Sequence, residues 1–175
     1  IKLRMLGWRA SKGEGKPRAN IRIMQDAFAL VGPDGEEIIK SIASLDTKPV
    51  LIVIDTLAKS FGIADENKTQ DMNAYVSAAE KLRRATGANV MIIHHAGRNT
   101  DRERGNLSLR AGCSTIIAAK RAGDKVALIN QAPLGKQKNA KPFDDIRLRM
   151  QVVRFQYRGA EQSTLVPMLD DSPIQ

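Results

Sequence analysis

Two short apolar runs constrain this chain more than any other feature. Val50-Leu51-Ile52-Val53-Ile54 ends in Asp55-Thr56, and Val90-Met91-Ile92-Ile93 ends in His94-His95. Each run is apolar throughout and rich in β-branched residues, the pattern of a strand buried on both faces of a parallel sheet. Parallel neighbours need a crossover, and the intervening chain supplies one: Thr69 to Thr86 carries Met72, Tyr75, Val76, Ala79 and Leu82 at helical spacing. Asp71 falls in the first turn, Arg83 and Arg84 in the last, and Gly87 follows. The charges complement the helix dipole and the glycine stands where the helix must stop. Strand, helix, strand is the expected core, and sheets of this kind gather their ligands at the carboxyl ends of the strands.

A carboxylate at the tip of a buried strand is costly to leave uncompensated. Three partners are open to Asp55: a hydrated magnesium ion held with nucleotide phosphates, a helix end that it caps, or a cation on a neighbouring loop. The histidine pair at the tip of the second run favours the nucleotide. Successive strand residues point to opposite faces, so His94 and His95 do not chelate one metal together.

The 175 residues suffice for one domain with a proper core, and 42% hydrophobic with 27% charged residues is ordinary for a soluble protein. No apolar run is long enough for a membrane helix and no secretory signal opens the chain, so a cytoplasmic protein that meets no membrane is expected. The single cysteine, Cys113, has no partner for a disulfide and no ligand-spaced neighbours for zinc, and reads as a small buried residue. The net charge of +9 is more informative. Its excess crowds the second half, from Arg98 through Lys120, Lys125, Lys136, Lys138, Arg147 and Arg149 to Arg158, which fits either a polyanionic partner or a basic face that confers solubility. With only 4% aromatic residues, contacts to phosphate are expected rather than stacking on bases.

Ile1 to Trp8 shows a weak helical pattern, Ser11 to Pro17 is a loop, Ile21 to Met24 a short strand, and Glu36 to Leu45 a helix feeding the Asp55 strand. After His95 the segment Gly97 to Gly105 has no apolar period and reads as a loop. The remainder changes character. Thr115 to Ala119, Lys125 to Asn130, Asp145 to Met150, Val152 to Phe155 and Ser163 to Met168 are extended segments, with a hairpin turn at Ala122-Gly123-Asp124. Ile146, Leu148 and Met150 alternate with Arg147, Arg149 and Gln151, giving one face to the core and the other to water. The phosphate-cradling pattern G-x-x-x-x-G-K-[ST] is absent. Gly15-Lys16 imitates it, but its first glycine falls on Ala10 and its hydroxyl position on Pro17, so it is a surface turn.

From Asp46 to Arg149 the chain resembles the RecA-like ATPases of the RepA type, hexameric replicative helicases of plasmids and phages. The carrying motifs are Leu51 to Ala58, Asp65-Glu66-Asn67 with Asp71-Met72, Leu82 to Ala88, Ile92 to Gly97, Arg104-Gly105 with Leu109-Arg110, and Gly135 to Asn139. The fold this implies is α/β, a RecA-like P-loop NTPase core with a mostly parallel sheet flanked by helices and antiparallel strands toward the C-terminus. All of residues 1–175 then form one partial domain.

The resemblance implies that Asp55, with Thr56 beside it, serves ATP and Mg2+ as the Walker B carboxylate, and that His95 senses the γ-phosphate. It places Arg98, Asn99, Arg102 and Arg104 in a channel loop that holds single-stranded DNA. It places Lys136 and Lys138 where ring helicases reach a neighbouring subunit's γ-phosphate, so a hexameric homo-oligomer is implied. The chain departs from the family's pattern at several points. Lys138 replaces the usual arginine and forgoes its bidentate contact. Asn106-Leu107 stands for a pair of small residues, and Ser114 for an acidic one. The family's phosphate loop and catalytic glutamate precede the segment that matches Ile1, so a chain truncated at its start is expected, with no ATPase activity of its own. Two other functions fit the same residues: a RecA-like ATPase that binds DNA as a recombination or regulatory switch, and an inactive basic nucleic-acid-binding remnant.

Overall fold

The computed structural model describes residues 2–13, 20–95 and 107–170. In chain order the elements are helix α1 (Lys2–Lys12), helix α2 (Pro33–Ala43), strand β1 (Leu51–Asp55), helix α3 (Leu57–Ser60), helix α4 (Thr69–Thr86), strand β2 (Asn89–Ile93), helix α5 (Leu107–Gly112), and strands β3 (Thr115–Ile116), β4 (Ala118–Ala122), β5 (Lys125–Ile129), β6 (Lys136–Gln137), β7 (Ile146–Tyr157) and β8 (Ala160–Leu169). They divide into two compact units, one of Met24–Cys113 and the other of Ile1–Ile23 with Ser114–Gln175.

In the unit Met24–Cys113, β1 and β2 pair in parallel, with Leu51 opposite Asn89 and Asp55 opposite Ile93. The crossover helix α4 begins and ends where its sequence pattern predicts. Gly87 closes it in the left-handed region at φ 71, a conformation that only glycine adopts without cost, and donates its N–H to the Arg83 carbonyl at 2.9 Å. The apolar stripe of α4, Met72, Tyr75, Ala79 and Leu82, packs with Ile54, Leu57, Phe61, Leu30 and Ile39 into one core. Phe61 stacks on Tyr75 with ring centroids 5.0 Å apart. The Tyr75 hydroxyl lies 2.7 Å from that of Ser60, and burial pushes the phenol's pKa up.

The two strands are not buried on both faces as their composition suggests. Ile52, Ile54, Val90 and Ile92 join the core with α2 and α4, whereas Leu51 and Val53 on the opposite face are 47% and 51% exposed. Met91 and Ile93 are exposed with them. Among the described residues no element covers this second face. The parallel part of the fold is therefore a pair of strands and the larger sheet is antiparallel. Ile21 to Met24 forms no strand, and its Ile21, Ile23 and Met24 are solvent-exposed.

In the other unit, β4, β5, β7 and β8 form an antiparallel sheet in that order. The turn expected at Ala122-Gly123-Asp124 is Gly123-Asp124, with Gly123 at φ 63, and Ala122 already pairs with Lys125. The segments expected at Asp145 to Met150 and Val152 to Phe155 merge, from Ile146 on, into one long strand, β7, which returns as β8 through Arg158-Gly159, both at positive φ. Two positive φ values match the right-handed twist of a tight hairpin. Helix α1 crosses the β7–β8 ribbon at Gly7, whose missing side chain lets the backbone close on Thr164 and Phe155.

At the start of β7 the expected alternation holds in part: Leu148 and Met150 are half-buried and Arg149 and Gln151 exposed, whereas Ile146 is exposed and Arg147 half-buried. The face α1 covers is the one bearing Val153, Phe155, Thr164 and Val166, which by strand alternation is also the face of Arg147 and Arg149. Further along the face of Ile146, Leu148 and Met150, Val152 and Leu169 are 60% and 70% exposed. Alternation along β7 sorts apolar from basic residues near its start. The covering helix instead follows the apolar residues that gather on the opposite face toward its end.

Candidate functional site

Asp55 is the last residue of β1 and Ile93, its partner across the sheet, the last of β2. Exposure keeps alternating beyond the strand: Ile92 is half-buried, Ile93 exposed, His94 half-buried and His95 exposed. Ile93 and His95 therefore share the side of Asp55, and His94 turns to the helix-covered side. The carboxylate of Asp55 and the imidazole of His95 are both open to solvent, and neither has a hydrogen-bond or ion-pair partner among the described residues.

Thr56 follows immediately, and the Asp55–Thr56 peptide is cis. Thr56 is buried at the N-cap of α3 in extended conformation, with no hydrogen bond from its side chain to the helix end. Its carbonyl accepts the N–H groups of Lys59 and Ser60 at 3.1 and 3.2 Å. Two of the partners open to Asp55 from sequence, a helix end and a loop cation, are thus not found among the described residues.

The acidic loop between α3 and α4 is satisfied within itself. Asp65 accepts the Asn67 N–H at 2.9 Å and the Asn67 side-chain amide at 3.0 Å, bonds that hold the Asp65 carboxyl below its usual range. The Asp65 N–H is bound in turn by Asp71 in the first turn of α4 at 3.0 Å. No group of three or more His, Cys, Asp or Glu side chains is arranged to hold a metal among the described residues. Among the described residues this edge offers no cage for a cation held by protein ligands alone. Magnesium fits, because it keeps most of its waters and needs one carboxylate besides the phosphates it accompanies, and Asp55 provides that carboxylate.

Lys136 and Lys138 belong to the other unit. Lys136 is half-buried in β6 opposite Ile116, and Lys138 is exposed just beyond, its N–H bound to the Ser114 carbonyl at 2.9 Å. The segment is fixed by Asn130, which sequence reading passed over. Fully buried, Asn130 donates its side-chain amide to the carbonyls of Ile116 at 2.9 Å and Lys136 at 3.0 Å. Gly135 lies so close to the Asn130 backbone that a Cβ there would fall 2.1 Å from its carbonyl carbon. The sequence pattern reads Asn130 as the end of the extended segment from Lys125, so nothing in the sequence marks this clamp. The channel residues Arg98, Asn99, Arg102 and Arg104, like the Gly15-Lys16 turn, lie outside the described residues.

No described helix is long and apolar enough to cross a membrane. Cys113 is half-buried, forms no disulfide among the described residues, and donates its N–H to the Leu109 carbonyl at 3.1 Å. No curated protein and no solved structure matches the chain. Residues 10–101, just over half of the sequence, match the family described as an AAA domain. Mixed helices and strands with a parallel pair, and a solvent-facing carboxylate at the carboxyl end of one of its strands, agree with that match. The chain belongs to the AAA domain family and carries an ATPase domain of the P-loop type.

Proposed function

We propose that the chain is the latter part of a RecA-like ATPase of the RepA type, a ring motor that hydrolyses ATP while moving on single-stranded DNA. The observation that carries this reading is the edge formed by Asp55 and His95: two solvent-facing groups on one side of a parallel pair, at its carboxyl end, with no partner among the described residues. An AAA-family nucleotide with magnesium supplies the electrophilic phosphorus and the counter-charge for the transfer. Asp55 holds the hydrated cation in register, and Thr56 anchors that strand tip by capping α3 through its carbonyl. His95, on the same side, meets the terminal phosphate and passes its loss to the segment that follows. In that segment Arg98, Asn99, Arg102 and Arg104 hold DNA phosphates without reading sequence.

Lys136 and Lys138 serve the adjacent subunit by placing positive charge beside its γ-phosphate. The phosphate loop and the catalytic glutamate come from a segment not among these residues, and the uncovered apolar face of β1 and β2 supports the existence of such a layer. With that segment, all 175 residues belong to one RecA-like domain.

In the complete polypeptide, Asp55→Asn and His95→Ala are expected each to lower DNA-stimulated ATP turnover by about 100-fold, the size of effect that follows loss of one group stabilising transition-state charge. Thermal unfolding should be unchanged. Undiminished turnover removes the substituted residue from the mechanism. Strand displacement on a forked duplex separates a motor from a DNA-bound switch, and absence of nucleotide affinity in the complete polypeptide would leave a basic binding remnant.

A further inference from the structure

The antiparallel sheet carries a concentration of positive charge on one face, next to the part that α1 covers. Lys125 on β5 stands directly opposite Arg149 on β7. One row along, Lys120 on β4 is opposite Ala127, which is opposite Arg147. Directly paired residues share a face, so all four cations lie together, on the side that also bears Val153 and Phe155. Like charges directly opposite one another destabilise a sheet, which makes the Lys125–Arg149 pair unfavourable by itself. One carboxylate relieves it. Asp170, its side chain only 4% exposed, lies 3.2 Å from the Lys125 ammonium and 3.3 Å from the Arg149 guanidinium, and its N–H is bound to the Arg147 carbonyl at 2.9 Å.

Strands β4, β5 and β7 contain no acidic residue, and the one in β8, Glu161, is on the opposite face. Neither Asp124, in the turn between β4 and β5, nor Asp145, just ahead of β7, forms an ion pair with a described residue. A face built only for solubility gains nothing from stacking cations on adjacent strands. The arrangement costs sheet stability, and a buried aspartate is committed to limiting that cost. Small Ala127 between Lys120 and Arg147 leaves a shallow trough between two charged side chains.

We infer that the face bearing Lys120, Lys125, Arg147 and Arg149 is a binding site for the phosphate backbone of a nucleic acid, read by charge and not by sequence. It is separate from the channel loop, and shares with the preceding reading only the class of polyanion. It needs neither a bound nucleotide nor ATP hydrolysis.

The test is fluorescence anisotropy of a labelled oligothymidylate with the full 175-residue chain, repeated over a range of salt concentrations. Lys120→Glu with Arg147→Glu is the informative pair, because it leaves in place the ion pairs of Asp170 with Lys125 and Arg149. Affinity is expected to fall at least tenfold, and Lys120→Gln with Arg147→Gln to reduce the slope of log affinity against log salt by roughly 1.4, two phosphate contacts' worth on a single strand. The glutamine pair also serves if the glutamate pair does not fold. Wild-type affinity and slope in a folded glutamine variant would overturn the assignment, as would failure of the unaltered chain to bind the oligonucleotide. Equally tight binding of polyglutamate or of phosphatidylserine vesicles at the same salt would also overturn it, since the surface would then serve an acidic protein or a membrane. ATP turnover is not part of the readout, so a failed motor reading leaves this result standing.

Discussion

Ser60 and Tyr75 show how much a single buried polar pair can cost when half of it is removed. Ser60 also approaches the carbonyls of Thr56 at 3.2 Å and Leu57 at 3.0 Å, so its hydroxyl has other acceptors if tyrosine is lost. The Tyr75 hydroxyl, fully buried in the core, depends on Ser60. Ser60→Ala is therefore expected to cost about 1–3 kcal/mol by stranding a phenol, while Tyr75→Phe, which removes the group and its desolvation together, costs about 0.5–1.5 kcal/mol. Urea denaturation of both variants checks the order, and a phenylalanine variant no more stable than the alanine one refutes this division of roles. None of this network is visible in the sequence, where Tyr75 is simply one apolar position of a helix. Asp55 and His95 are visible because a buried strand that stops in a charge or an imidazole breaks its own pattern. Asn130 breaks no pattern, and its meaning depends on carbonyls of Ile116 and Lys136 that the sequence does not place beside it.

Helix α4 is the element most completely written in the sequence, since its stripe, its terminal charges and its stop glycine all agree. Its last turns also carry a charge cluster that local spacing alone predicts. Glu80 is gripped by Arg83 at 2.7 and 2.8 Å and by Arg84 at 2.7 Å, three and four residues ahead. Hydrogen bonds from the two guanidinium groups hold its carboxyl down to about 2, from an ordinary value of 4.5. A carboxyl lowered in the folded state stabilises that state above its unfolded pKa, and the contribution disappears as pH falls through the folded one. Stability of the chain is thus expected to exceed that of Glu80→Gln at pH 7 and the difference to shrink between pH 4.5 and about 2. Because the cluster is exposed, added salt should narrow the gap at neutral pH. Chemical denaturation of the two proteins at pH 7, 4 and 2.5 measures it, and a gap that widens on acidification contradicts the assignment. The β7–β8 hairpin is less legible than α4. Its turn, Arg158-Gly159, lacks the Asn-Gly or Asp-Gly signature of a tight hairpin, and the apolar residues of β7 change face along its length.

At the scale of the whole molecule the two apolar runs were composed for burial on both sides, and these residues bury one side. Val53 lies on the uncovered face, its partner Met91 beside it and Asp55 two residues further along the same strand. If an additional layer covers this face in the complete protein, the same substitution must have opposite consequences in the two contexts. In the 175-residue chain, Val53→Lys places its ammonium in water and is expected to change stability by less than about 0.5 kcal/mol, as surface substitutions do. In a polypeptide extended by the covering segment, it forfeits the burial of a valine, worth about 1.5–3 kcal/mol, and forces a charge into an apolar interface. Fluorescence of an apolar dye should follow the same logic, strong with the shorter chain, weaker with Val53→Lys or after the segment is added. Denaturation and dye binding of four proteins, each length with and without the substitution, complete the comparison. A lysine tolerated equally in both lengths would mean that the face stays open to solvent, and that whatever completes the Asp55 edge approaches without covering the sheet.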